Sequence, residues 1–333
     1  MAGDHQRLVL FRTGFFGQKP SFEAVDTHYL SCFTTDASRI KEAEAVVFHI
    51  PDWRPSQLAD TPKYSGQKWV AWCQESSINY PRLADRGFMR HFELTMTYER
   101  SADVWAPYLP LAQRWQAARA APPPVKDEDA PLVMFQSALI DGCGRNAFAV
   151  ELMRHIKVDS YGRVQRNRRI EGPDRGRQTK LDVIGRYRFC LGLENAIAPD
   201  YVTEKLFDPM MAGTVPVYRG APNASEFAPE HSFIDAEGYG GPAGLAAYLR
   251  HLAANPAEYE AYFAWRNKPL PGVLEDNLAA SARHPFLRLL DKIGPRDTLI
   301  RGSISYPFGL RAALRAKMQR GWQAISPKRR RDV

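Results

Sequence analysis

Apolar residues gather in short, partly β-branched or aromatic runs at residues 8–11, 45–50, 69–73 and 94–98, the length and composition of buried strands. The stretches between them have room for helices. Past residue 131 the alternation resumes with a strand-like run at 132–136. A helix is predicted over 146–156, where Phe148, Leu152 and Ile156 recur at four-residue spacing on one face. Strands at 188–193 and 214–218 flank a predicted helix over 203–212, which Gly213 can end in the left-handed conformation open to glycine. Residues 243–251 and 256–265 read as two further helices, and no internal repeat is visible.

Strands that alternate with helices in both halves imply an α/β chain with two parallel-sheet domains facing across a cleft. Between the halves the composition changes. Pro122, Pro123 and Pro124 are followed by Lys126, Asp127, Glu128 and Asp129, a segment expected to stay solvated and semi-rigid. The expected division is therefore an N-terminal domain over 1–120, a proline-rich linker over 121–131, a second domain over 132–300 and a tail over 301–333. A length of 333 residues with 44% hydrophobic content is enough for two such cores.

Charge sharpens this division. The net charge is +8, yet nine of the 45 basic residues and only one of the 37 acidic residues lie in 301–333. The body is thus balanced and carries no excess charge with which to grip a polyphosphate, so nucleic acid is not expected as a partner. In the tail, Leu310, Leu314, Met318 and Trp322 recur at four-residue spacing among basic residues. That segment reads either as a helix on an anionic membrane surface or as a helix packed on the body with a basic end. The four cysteines, Cys32, Cys73, Cys143 and Cys190, show no metal-ligand spacing and read as buried free thiols. No signal pattern opens the sequence and no apolar run is long enough to span a bilayer. The expected location is cytoplasmic, with the inner face of the membrane as the tail's alternative.

Several motifs carry chemistry. Gly142-Cys143-Gly144-Arg145-Asn146-Ala147 follows a strand and opens a helix, with Asp159 downstream, which resembles a dinucleotide fingerprint at a slightly short spacing. More generally, such a loop offers backbone N–H groups to an anion, and Arg145 adds a guanidinium fork for phosphate. Thr203-Glu204-Lys205 places an N-cap and then a cation in a helix's first turn, where the helix dipole disfavours positive charge unless an anion is present. Glu75 follows the run 69–73 and so stands at the C-terminal rim of a strand, where α/β clefts open. Asp127-Glu128-Asp129 lies in the linker and is expected to face solvent. The eight histidines show no metal-binding spacing.

The segment 187–223, with Tyr187-Arg188-Phe189-Cys190-Leu191-Gly192-Leu193-Glu194-Asn195, Tyr201-Val202-Thr203-Glu204-Lys205 and Gly213-Thr214-Val215-Pro216-Val217, closely resembles the donor-binding core of the α-1,3-fucosyltransferase family. Further landmarks occur in family order, among them Thr97 to Asp103, Val158 to Gly162 and Tyr262 to Arg266. The resemblance spans about residues 69–268. It implies a fold of two Rossmann-like domains (GT-B type) and an inverting transfer of fucose from GDP-fucose to a carbohydrate hydroxyl, at O3 of an N-acetylglucosamine-type sugar. It also implies that neither a metal nor a cofactor is needed. By the same resemblance Arg145 and Lys205 contact the donor phosphates, Asn195, Tyr201 and Glu204 complete the donor site, and Glu75 is the general base. Glu75-Ser76-Ser77 stands where the family has Glu-Ser-Pro. That departure supports one rival reading, a non-catalytic relative that binds a sugar nucleotide or glycan; the other rival is a related transferase using another nucleotide sugar.

Overall fold

The computed structural model describes residues 7–293 and the strand Ser303–Ile304; the tail helix expected beyond residue 309 lies outside the described residues. Thirteen strands are described: β1 (Val9–Phe11), β2 (Phe33–Thr34), β3 (Ala45–His49), β4 (Lys63–Tyr64), β5 (Lys68–Cys73), β6 (Leu94–Thr97), β7 (Val104–Trp105), β8 (Leu132–Met134), β9 (Val158–Ser160), β10 (Phe189–Leu193), β11 (Val215–Arg219), β12 (Ile234–Asp235) and β13 (Ser303–Ile304). The helices are α1 (Pro55–Asp60), α2 (Arg86–Met89), α3 (Ala112–Ala120), α4 (Arg145–His155), α5 (Arg177–Gly185), α6 (Glu204–Met211), α7 (Pro242–Ala254), α8 (Pro256–Ala261), α9 (Gly272–Ser281) and α10 (Pro285–Ile293).

The chain divides into two compact units, residues 1–72, 90–95 and 289–333 in one, and residues 73–89 and 96–288 in the other. The first is built on parallel strands in the order β2-β1-β3-β5, with Val9 opposite Ala45 and Val46 opposite Trp69. Val46, Val47, Phe48, Trp69, Val70 and Ala71 are fully buried. Strands covered on both faces read as unbroken apolar runs, which is why the sequence displays them. β13 pairs antiparallel with β4.

In the second unit β6 pairs with β7, and a five-stranded parallel sheet has the order β12-β11-β10-β8-β9. Helices cover both of its faces. Leu152 of α4 and Leu245, Leu249 and Leu252 of α7 share one core with Leu132, Phe189 and Val217. Trp115 of α3 and Leu206, Phe207 and Met210 of α6 form another core with Trp265. The chain leaves β8 to one side for β9 and returns past it to β10. The C-terminal ends of β8 and β10 therefore flank a switch point, where sheets of this kind bind ligands.

Most of the proline-rich segment is exposed, as its composition suggests, but two of its charged residues are anchored. Lys126 Nζ donates to the carbonyls of Gly185 and Gly213 at 2.8 and 2.7 Å and to Thr214 Oγ1 at 3.0 Å. Desolvation pulls its amine down to about 7. Asp127 and Asp129 are exposed, but the Glu128 side chain is only 9% exposed and pairs with Arg168 and Arg186. Cations from sequence-distant turns fold back onto these carboxylates, a pairing no local composition reveals.

Asp208, inside α6, has a side chain 2% exposed and accepts from Arg177 and Lys180 of α5 at 2.6 and 2.9 Å. Truncating a buried partner strands the remaining charges, at a cost of about 3–5 kcal/mol when they are fully desolvated. Here the cations are 43% and 24% exposed, so Asp208→Ala is expected to cost up to about 3 kcal/mol. Urea unfolding checks this: a midpoint unchanged from wild type would show that the α5–α6 cluster does not stabilise the fold.

Candidate active site

β5 ends at Cys73, and Gln74 and Glu75 leave the sheet as a fastened turn. Cys73 Sγ accepts the Glu75 N–H at 3.3 Å, the Tyr108 hydroxyl donates to the Gln74 carbonyl at 3.0 Å and Gln74 Nε2 donates to the Ala106 carbonyl at 3.2 Å. Burial pushes the Cys73 thiol up to about 12, which keeps it protonated. Glu75 Oε2 accepts from Tyr201 Oη at 2.9 Å and from Asn195 Nδ2 at 3.3 Å. Tyr201 is 1% exposed and meets the Tyr98 ring edge-on, with centroids 4.9 Å apart. Burial first, and then the charges of Glu75 and Glu194, raise its pKa, so it stays a donor.

The loop that carries Tyr201 is pinned on its N-terminal side. Asp200 sits at φ 63, a left-handed conformation that Asp tolerates better than most residues. Its N–H donates to Asn223 Oδ1 and its carboxylate accepts from Asn223 Nδ2, both at 2.9 Å, and from the Arg100 N–H at 3.0 Å. The Tyr201 carbonyl lies 3.3 Å from the Tyr218 hydroxyl and shares that hydroxyl's single hydrogen with Glu194.

A second cluster adjoins the first through the Glu194–Asn195 peptide. Glu194 is fully buried at the end of β10 and accepts from the Thr203 N–H and hydroxyl, each at 2.8 Å, from Tyr218 Oη at 3.3 Å and from Lys205 Nζ at 3.2 Å. Lys205 Nζ also lies 2.9 Å from Thr203 Oγ1 and 3.2 Å from Glu204 Oε1. Burial pushes the Glu194 carboxyl up, while Lys205 and the Thr203 donors work against it. Desolvation would lower Lys205, but Glu194 and Glu204 outweigh it and its pKa is raised. Burial likewise pushes Glu204 up, yet Lys205 and Lys180 hold its carboxyl below the ordinary range. Thr203 caps α6 as its sequence position suggests. At this helix start the chain also sets a carboxylate of its own, Glu194, against the Lys205 cation.

The glycine loop behaves the same way. Gly144 adopts φ 74 and α4 begins at Arg145, but the N–H groups of Arg145 and Asn146 donate to the Asp141 carboxylate at 2.7 and 3.0 Å. The first turn therefore does not present these groups to a ligand. Arg145 is 1% exposed, and its two terminal nitrogens donate to the carbonyls of Leu193, Ala138 and Ile140 at 2.9–3.0 Å, while its Nε is buried without a partner among the described residues. Asp159 accepts from Tyr187 Oη at 2.9 Å and pairs with Arg168 at 3.0 Å, so the acid that suggested a dinucleotide site is taken up in a local network. Among the described residues no group of three or more His, Cys, Asp or Glu side chains is placed to hold a metal ion. Cys32, Cys73 and Cys190 are buried free thiols, whereas Cys143 is half-buried on the glycine loop.

All six residues singled out from the sequence thus lie in one neighbourhood around the end of β10, with Glu75 bound directly by Asn195 and Tyr201. Sequence reasoning passed over Glu194 and Asp141. Glu194 carries the same signal that drew attention to Glu75, an acid directly after an apolar strand run. Asp141 precedes Arg145 by four residues and offers no comparable signal.

Two family-wide sequence profiles match the chain: the C-terminal part of glycosyltransferase family 10 (fucosyltransferase) over residues 126–292 and an N-terminal fucosyltransferase profile over residues 4–109. A 4-galactosyl-N-acetylglucosaminide 3-alpha-L-fucosyltransferase of Gorilla gorilla gorilla is 33% identical over 248 residues, covering 72% of this chain and 66% of that protein. A 3-galactosyl-N-acetylglucosaminide 4-alpha-L-fucosyltransferase of Pan troglodytes is 32% identical over 256 residues, covering 74% and 65%. The chain thus spans just under two thirds of the length of these relatives. A crystal structure of an alpha1,3-fucosyltransferase with GDP-fucose shares the fold at a TM-score of 0.58 and 15% identity, over 90% of this chain and 94% of the other.

Proposed function

The chain belongs to glycosyltransferase family 10, the fucosyltransferases, and from that premise we propose that it transfers L-fucose from GDP-fucose to a carbohydrate hydroxyl, at O3 of an N-acetylglucosamine-type sugar, with inversion and without a metal. The observation that carries this reading is the Glu75 carboxylate, oriented by Tyr201 and Asn195 beside the Glu194–Lys205 cluster. Glu75 takes the proton of the acceptor hydroxyl as its oxygen attacks the anomeric carbon of fucose from the face opposite the diphosphate. The bond from that carbon to the diphosphate oxygen breaks, and GDP leaves carrying the electron pair.

Lys205 is the cation assigned to the charge that develops on the diphosphate, and its contacts with Glu194, Thr203 and Glu204 hold it ready for that role. Arg145 shapes the loop at 138–144 through its three carbonyl bonds, while its Nε is buried without a partner among the described residues and remains a donor for a phosphate oxygen. Asn195 Oδ1 is buried without a partner among the described residues, which suits a sugar hydroxyl as donor.

The test is incubation with GDP-fucose and an N-acetyllactosamine acceptor in EDTA, with the product linkage read by NMR. A new α-fucosyl linkage at O3 of the glucosamine is expected. GDP, and neither UDP nor NAD, should raise the melting temperature increasingly with ligand excess, following the logarithm of the ligand concentration. A shift with UDP alone would mean another nucleotide sugar. GDP binding without turnover on any glycan would favour the non-catalytic reading, and turnover restored only by manganese would end the metal-free mechanism.

A further inference from the structure

The resemblance gives Tyr201 and Asn195 to the donor; the Tyr201 hydroxyl and Asn195 Nδ2 are engaged with Glu75 instead. We infer that Tyr201, assisted by Asn195, is a positioning residue for the Glu75 carboxylate, an inference that rests on Glu75 being the base. A phenol has one hydrogen to donate, and that of Tyr201 goes to Glu75 Oε2 at 2.9 Å. The residue is 1% exposed, far less than a group that must meet an entering ligand. Its ring is held among Tyr98, Ala196, Ala198 and Tyr108, and the residue before it is locked by the reciprocal Asp200–Asn223 bonds. The hydroxyl therefore has one place to be.

Asn195 Nδ2 approaches the same oxygen at 3.3 Å. Both donors converge on Oε2, and Oε1 receives no hydrogen bond from the described residues, so the carboxylate is turned to present one free oxygen. That is the arrangement a base needs: one oxygen anchored, the other left for the acceptor's proton. Orientation matters because a displacement of about 1 Å in a reacting group can cost about a hundredfold in rate.

A double-mutant cycle with full steady-state kinetics tests the assignment. Tyr201→Phe keeps the ring and removes only the hydroxyl. It is expected to lower kcat about tenfold to a hundredfold, while KM for GDP-fucose and Kd for GDP stay near wild type. In a Glu75→Gln background the same change should add almost nothing, because the group that Tyr201 positions is already disabled. Asn195→Ser should show the same dependence on Glu75 with a smaller effect, in keeping with its longer contact.

A rise in GDP Kd and donor KM with kcat preserved would make Tyr201 a donor ligand and overturn the inference. An equal loss in the wild-type and Glu75→Gln backgrounds would overturn it too, since Tyr201 would then act independently of Glu75. Near-normal turnover in Glu75→Gln alone is a different failure: it removes Glu75 as the base, and this inference falls with it.

Discussion

Replacing Glu75 by Gln is expected to lower turnover with GDP-fucose by about 100- to 10,000-fold, the usual contribution of a positioned general base, while GDP still binds with near wild-type affinity. The substitution is close to isosteric. The side-chain oxygen can still accept from Tyr201 Oη, now 2.9 Å from Glu75 Oε2, and the Glu75 N–H keeps its contact with Cys73 Sγ at 3.3 Å. What disappears is the capacity to take a proton from the acceptor hydroxyl. Lys205 and Glu194 are untouched by the change, so the donor side should register little. Steady-state kinetics together with GDP titration by calorimetry check both halves. Turnover within a fewfold of wild type would move the base elsewhere, and a parallel loss of GDP affinity would mean that Glu75 contacts the donor.

Gly192→Ala is expected to weaken GDP binding at least about tenfold and to destabilise the fold by roughly 1–3 kcal/mol, the ordinary cost of overpacking. Gly192 lies inside β10, and a Cβ there would stand 2.4 Å from the carbonyl oxygen and 3.1 Å from the carbonyl carbon of Lys205. Backbone cannot swing aside as a side chain can. The approach is this close for a reason visible in the chain: the helix position that would donate to the Lys205 carbonyl is Pro209, which has no N–H. A methyl at Gly192 must push the start of α6 away from the strand, carrying Lys205 and Glu204 away from Glu194. Gly238→Ala is the control, because nothing lies within 4 Å of its added carbon. GDP affinity unchanged in Gly192→Ala, despite a lowered melting temperature, would show that the register of α6 on β10 does not set the donor site.

The sequence by itself determined the layered α/β plan. β3, β5, β8 and β10 are covered on both faces, so each is an apolar run that periodicity detects. α6 announces itself through Thr203 at its cap, and Glu75 through its place after a strand. The motif segment 187–223 brought the family with it, since residue types at fixed spacing are what a family preserves.

Partnership was decided only in three dimensions. Tyr201 and Asn195 lie 126 and 120 residues from Glu75 along the chain, and nothing local distinguishes a phenol that will meet a carboxylate from one that will meet a ligand. Free N–H groups were expected at the start of α4, where the structure has Asp141, and nothing local announced that Glu194 would sit beside Lys205 at the start of α6. Arg145 was expected to offer its fork to phosphate and also binds three carbonyls, while Lys126 and Glu128 left an otherwise exposed strap to pair with distant groups. Burial and local spacing are written residue by residue, because apolar area and backbone preference belong to each residue. Hydrogen bonds and ion pairs belong to pairs, and which donor reaches which acceptor depends on the packing that brings remote segments within about 3 Å.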